Sequence, residues 1–335
     1  MIRVAIDAMG GDVGLEAAVP AALAIVREYP DVSCILVGDE SRINTLLQSD
    51  TLSTQVRERL IVHHASQTVA MDEAPALALR KKKDSSMRVA INLVKQGDAD
   101  ACVSAGNTGA LMATGRFVLR MIEGIDRPAI CTALPRINGV THLLDLGANV
   151  DTPPQGLLQF GLMGTAVASI VHNIERPTVG LLNVGAEDVK GNDQVKKTTT
   201  LFKQSDLNYV GFVEGDDIFL GDTDVIVCDG FVGNVALKSS EGVAKMISAI
   251  LKQEFTRNLL TKCSALVARP VLDSLKNRTD PGRYNGASLV GLNGIVIKSH
   301  GGADSAGLAA AIKVAIKEVR AGMIDKIKSY LNKQP

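Results

Sequence analysis

With 335 residues, 46% hydrophobic and 21% charged, the chain is long enough for one large α/β domain or two smaller lobes around a substantial core. Its 36 basic and 36 acidic residues cancel, which excludes the basic excess of a dedicated nucleic-acid binder. Five cysteines without CxxC spacing read as free thiols of a reducing compartment, not as a disulfide or zinc framework.

The chain opens on a strand pattern at Ile2, Val4 and Ile6, so no leader is expected and the cytoplasm is the expected location. Strands are predicted at 2–6, 33–38, 60–63, 100–104, 129–134, 140–146, 178–183, 209–213, 224–228 and 294–299. Helical spacing is predicted over 14–28, 85–96, 108–122, 154–173, 187–204, 233–255 and 303–320. This alternation predicts an α/β fold, a mostly parallel sheet with helices on both faces in three α/β/α layers. Asn138-Gly139 between two strand patterns is a hairpin signal and adds an antiparallel pair. No repeat or long linker breaks the chain, so 1–335 reads as a single domain.

Two segments stand apart. From Thr152 to Ile174 no residue is charged, and the length approaches a membrane span. Pro153, Pro154, Gln155 and Gln159 instead mark a helix buried in the core or a subunit interface. Across 240–278, Val243, Met246, Ile247, Ile250 and Phe255 form one apolar stripe. Leu259, Leu260, Leu266 and Val267 form a second, which Pro270 is expected to close, with Lys252, Arg257, Lys262 and Arg269 interleaved. The segment is expected to be a helical hairpin that packs on the core or a second subunit, or rests a basic amphipathic face on lipid or an acidic partner.

The chemistry is expected where strands break on small polar residues. DAMGGD, VSAGNTGA, DLGAN, NVGAEDVKG, DGFVGN and SHGGAD each follow an apolar run. Such turns aim backbone N–H groups at an anion. They contain no Ser-His-Asp set and no metal-ligand cluster. Met9-Gly10-Gly11-Asp12-Val13-Gly14 is not a dinucleotide fingerprint, and no P-loop is present.

Lys190 is the foremost candidate, because a lysine directly after a buried strand has no packing role and lies among Asn183, Gly185 and Gly191. It reads as a solvated loop residue or a phosphate ligand. Asn234, Asn107 and Thr108 read as helix caps or ligand donors. Asp7 and Asp229 end strands beside glycines and orient neighbours instead of acting as bases. His300, ahead of Gly301-Gly302 and a helix, reads as a structural turn residue or a ligand contact, whereas His63 and His64 read as surface or packing residues. Cys102 and Cys228 read as small core hydrophobes. The run Arg80-Lys81-Lys82-Lys83 is a solvated face or an electrostatic docking patch.

Taken together, DAMGGD, RKKKDSSM, VSAGNTGA, DLGANVD, LLNVGAEDVKG, DGFVGN and KSHGGAD resemble the bacterial phosphate acyltransferase family over nearly the whole chain. The resemblance implies transfer of a fatty acyl group from acyl carrier protein to inorganic phosphate at the entry to phospholipid synthesis. It also implies a Rossmann-like fold related to phosphotransacetylases and isopropylmalate-type dehydrogenases, a homodimer, and no metal or nucleotide cofactor. Reversible contact with the inner face of the cell membrane follows, as does a downstream membrane acyltransferase that takes the product. Lys190, Asn234 and Asn107 are then the expected catalytic residues. Asp7, Gly10, Gly11, Ser104, Gly106, Thr108, Asn149, Gly185, Asp229, Gly233 and His300 are the expected substrate-binding set. A dehydrogenase on the same fold and a phosphate-binding membrane scaffold are the competing readings.

Overall fold

The apolar runs form β1 (Ile2–Asp7), β2 (Val32–Gly38), β3 (Leu60–His64), β4 (Ala101–Ser104), β5 (Ala129–Arg136), β6 (Gly139–Leu144), β7 (Thr178–Leu182), β8 (Asn208–Val213), β9 (Val225–Val227), β10 (Ala287–Val290) and β11 (Ile295–Lys298). The coordinates are a computed structural model and describe residues 1–48, 52–279 and 285–332. All of these strands join one 11-stranded sheet in the order β3-β2-β1-β4-β11-β10-β5-β6-β9-β7-β8.

The pairing divides the sheet into two parallel halves. β3, β2, β1, β4 and β11 run parallel. β10 is antiparallel to both β11 and β5, and β5 is antiparallel to β6. Strands β6, β9, β7 and β8 are again mutually parallel. The carboxyl ends of β1, β4 and β11 therefore point to one edge of the sheet. Those of β6, β7 and β9 point to the opposite edge.

Alternation along the strands sets the layers. Val4, Ile6, Leu36, Val103 and Ile297 face one side, where they pack with α1 (Leu15–Glu28), α7 (Pro154–His172), α12 (Ser305–Arg320) and α13 (Met323–Leu331). Ala5, Val37, Cys102 and Val296 face the other, under α5 (Ser86–Gln96) and α6 (Thr108–Leu119). Ile130, Leu143, Ile226 and Cys228 pack beneath the start of α10 (Gly230–Thr256). Uncharged α7 is a core helix, with Leu157, Phe160, Met163 and Val167 buried. No described helix is long and apolar enough to cross a membrane.

Three local expectations are corrected. The helix predicted from 187 is α8 (Asp193–Gln204): Gly191 at φ +88° breaks the chain and the Asn192 side chain caps Val195 N–H at 3.0 Å, which leaves Lys190 in a loop. The hairpin turn is Ile137-Asn138, with Gly139 already paired to Arg136; its φ of +121° suits a glycine as the first strand residue. Pro270 does not end the second stripe, since α11 (Leu259–Thr279) runs through it. The helix resumes because only the Leu266 carbonyl loses its N–H partner there.

Candidate functional site: two edges of one sheet

The predicted residues fall into two groups, one at each edge. At the first, Asp7 ends β1 almost fully buried, and its carboxylate accepts from Ser86 Oγ and Ser104 Oγ, each at 2.6 Å. Ser104 Oγ in turn accepts from Gly106 N–H at 3.0 Å. Burial pushes the Asp7 carboxyl up, against the two serine hydroxyls and the Lys298 charge. A Cβ on Gly10 would meet Asp7 Oδ2 at 2.5 Å and Gly106 N at 2.9 Å. One on Gly11 would meet Gly301 O at 2.7 Å. Glycine is required at both positions because three strand ends pack backbone to backbone.

Asn107 caps α6, its Oδ1 accepting from Ala110 N–H at 3.0 Å. Its amide donates to the carbonyls of Met71 at 2.8 Å and Glu73 at 3.0 Å, which ties down the loop ahead of α4 (Pro75–Lys81). Thr108 is exposed at the first turn of the same helix. His300 is exposed, with Nδ1 accepting from Gly302 N–H at 3.1 Å.

Lys298 completes this edge and was missed in the sequence. Its Nζ donates to the carbonyls of Ala105, at 3.2 Å, and Ser299. Burial pushes the ammonium down to about 8, opposed by the Asp7 charge and assisted by Lys238 on α10. The signal for it is close to that for Lys190: here the lysine ends the buried strand β11 itself, just ahead of Gly301-Gly302.

The second edge is built on the turn after β6. Asp145, also missed, accepts from the N–H groups of Ile130 at 2.8 Å and Asn149 at 2.7 Å, and from Asn149 Nδ2 at 3.0 Å. Asn149 Nδ2 also donates to Pro128 O at 2.8 Å. The first turn of α10 sits directly on this turn. A Cβ on Gly230 would strike Asn149 O and Asp145 Oδ2, and one on Gly233 would strike Asp145 O. Asp229 caps α10 through Phe231 N–H at 2.9 Å and holds Thr152 N–H at 2.8 Å.

Asn234 is therefore no cap. It lies against Gly147, is exposed, and its amide has no hydrogen-bond partner among the described residues. Thr152 Oγ1 beside Asp229 is buried and likewise unpartnered. Gln194 of α8 donates to Thr152 O, which joins the Lys190 loop to this edge. Within that loop Asn183 Nδ2 holds Gly185 O at 3.0 Å, and a Cβ on Gly185 would meet Lys190 Cγ at 3.2 Å. The Lys190 stem thus crosses a glycine, and its ammonium is exposed without an anionic partner among the described residues. An ammonium, a free amide and glycine turns on one edge can bind an oxyanion and polarise a carbonyl.

The family model described as "Fatty acid synthesis protein" matches residues 2–326. A phosphate acyltransferase of Legionella pneumophila is 55% identical over 333 residues, covering 99% of this chain and 96% of the relative. One of Methylococcus capsulatus is 57% identical over 327 residues, covering 98% and 96%. Among solved structures, a phosphotransacetylase from Streptococcus pyogenes superposes with a TM-score of 0.63 at 17% identity, covering 95% of this chain and 94% of that one.

Proposed function

The chain belongs to the phosphate acyltransferase family of fatty acid synthesis proteins, and on that premise we propose that it makes acyl-phosphate from acyl carrier protein and inorganic phosphate, for phospholipid synthesis. The observation that carries the reading is the second edge. Asn234 presents an unpaired amide beside a turn whose own polar groups are saturated, and Lys190 an unpaired ammonium on the loop that Gln194 joins to the same edge.

In this reading a phosphate oxygen attacks the thioester carbonyl carbon. The tetrahedral oxyanion is held by amide and backbone donors, and its collapse expels the carrier thiolate, which takes a proton from water. Phosphate is anionic at neutral pH, so positioning and charge stabilisation suffice and no strong base is required. Lys190 neutralises the nucleophile's charge on binding, and Asn234 faces the reacting carbonyl. Gly185, Gly233, Asn149 and Asp229 shape this side. At the first edge the exposed Thr108 and His300 face the polar part of the acyl donor, above a joint made by Asp7, Gly10, Gly11, Ser104, Gly106 and Lys298, with Asn107 as a positioning residue.

Cysteine chemistry fits poorly with these thiols. Burial pushes Cys34 up to about 12 and raises Cys102, Cys131 and Cys228 as well, which disfavours the thiolate a nucleophile needs. The dehydrogenase and scaffold readings gain nothing from the family match.

The same proposal extends to assembly. Val243, Met246, Ile247 and Ile250 are about half exposed along one face of α10, a width of apolar surface suited to a second copy of the chain. On α11, Leu260 is 77% and Val267 84% exposed, placed to enter a bilayer reversibly beside Lys262 and Arg269. The deciding experiment incubates the protein with long-chain acyl carrier protein and phosphate. Acyl-phosphate and free carrier thiol should appear in equal amounts, and only with phosphate present. An isolable acyl-enzyme on any cysteine would overturn direct attack.

A further inference from the structure

The run Arg80–Lys83 lies at the end of α4. Arg88 of α5 gathers the neighbouring helices: its Nη1 donates to Leu79 O at 3.0 Å and its guanidinium lies 5.1 Å from the exposed Phe117 ring of α6. Arg116, which precedes Phe117 in α6, is also exposed. None of these cations has a carboxylate partner among the described residues. The nearest acid in sequence, Asp84, is turned away onto Ser66, accepting from its N–H at 2.9 Å and its Oγ at 2.5 Å. The dipoles of α4 and α6 account for favouring Arg80, Lys81 and Arg116 in their last turns, but not Lys83. In a chain of zero net charge, this is a concentrated and unneutralised cationic face.

The face is also wired to the first edge of the sheet. Ser85 Oγ donates to Lys82 O at 2.9 Å, and the adjacent Ser86 Oγ donates to Asp7 at 2.6 Å. A partner seated on the basic turn thus stands beside the strand ends assigned to the acyl donor. It offers little to a bilayer, because its large exposed apolar side chains are Phe117, beneath Arg88, and Leu77.

We propose that the α4–α5–α6 basic face docks an acidic protein surface, that of the thioester carrier, with Phe117 as its apolar anchor. The proposal rests on the acyl-transfer reading above for the identity of the carrier. Exposed charges of this kind act mainly on encounter rate and salt dependence.

The test is charge reversal, K81E/K82E/K83E, with R116E/F117S as a second variant on a different helix, each checked for unchanged circular dichroism and Tm. Both should raise KM for acyl carrier protein by about 10-fold or more, flatten its salt dependence, and leave kcat and phosphate KM within twofold of the parent. Direct binding of fluorescently labelled carrier to the parent should weaken with salt and be lost in both variants. Unchanged carrier KM and binding in both variants would overturn the proposal. So would loss of binding to anionic phosphatidylglycerol vesicles with carrier binding intact. If the parent forms no acyl-phosphate yet binds carrier through these cations, the reaction reading fails and the docking surface stands.

Discussion

The two edges of the sheet use similar residues to opposite ends. At the Asp7 edge the carboxylate, both serines and Asn107 have all found partners inside the protein. At the second edge Asp145 and Asn149 are equally saturated, yet the Asn234 amide against their turn and the Lys190 ammonium in the adjoining loop have no partner among the described residues. A glycine-rich strand end can thus serve as a joint or as a site. The difference lies in whether donors remain after the backbone has been satisfied.

The largest effect that could break this contrast is expected from Lys190→Ala. Loss of the ammonium that neutralises and positions the bound phosphate should lower kcat/KM for phosphate by about 10²–10³-fold, with Tm nearly unchanged because the side chain is exposed. A variant with the parent's phosphate response would remove Lys190 from the site. Asp7→Ala should show the reverse balance. Two buried serine hydroxyls would lose their acceptor, at roughly 2–3 kcal/mol, read as a drop in denaturation midpoint. If Asp7→Ala melts like the parent and only turnover falls, Asp7 itself is a substrate ligand and not a joint.

The two asparagines sharpen the comparison further. Asn234→Ala should reduce kcat by about tenfold, near 1.4 kcal/mol, without moving Tm. Asn107→Ala should cost about 1 kcal/mol of stability through the lost cap. The smallest effect concerns pH. Lys298 holds its proton less tightly folded, at about 8, than unfolded, near 10.4. The unfolded state binds more protons between those values, so this residue's contribution to stability rises with pH across that window. The Tm difference between parent and Lys298→Met should therefore move in the parent's favour from pH 8 to pH 10. A constant difference would show that Lys298 is not desolvated.

Much of this was legible in the sequence because it depends on local pattern. Uncharged Thr152–Ile174 became core helix α7, and the lysine after a buried strand marked the Lys190 loop. What stayed hidden depends on partners far along the chain. Asn107 and Asn234 both stand near a helix start, but Asp229 takes the capping role in α10, so only the fold separates cap from free amide. Asp145 looked like one more acid at a strand end, and its importance lies in Ile130 and in the glycines that lean on it. The strand β10, Ala287–Val290, stayed hidden as a run too short to register against its flanking glycines, whereas the β5–β6 hairpin that reverses strand direction between the halves was signalled at Asn138-Gly139.

The central place of β10 and β11 in the sheet also bears on the order in which the chain can become whole. β11, near the carboxyl end, pairs with β4 on one side and β10 on the other. Until it arrives, the first half of the sheet ends on β4 as an open edge of unpaired backbone, the kind of surface that recruits other chains. Closing it joins residues nearly 200 positions apart, as in the Lys298–Ala105 contact, a long-range step of the sort that slows folding. During synthesis the ribosome must therefore deliver the chain as far as Gly301, whose carbonyl accepts from Asp12 N–H, before the Asp7 edge can close, although Ser86 and Ser104 are in place long before.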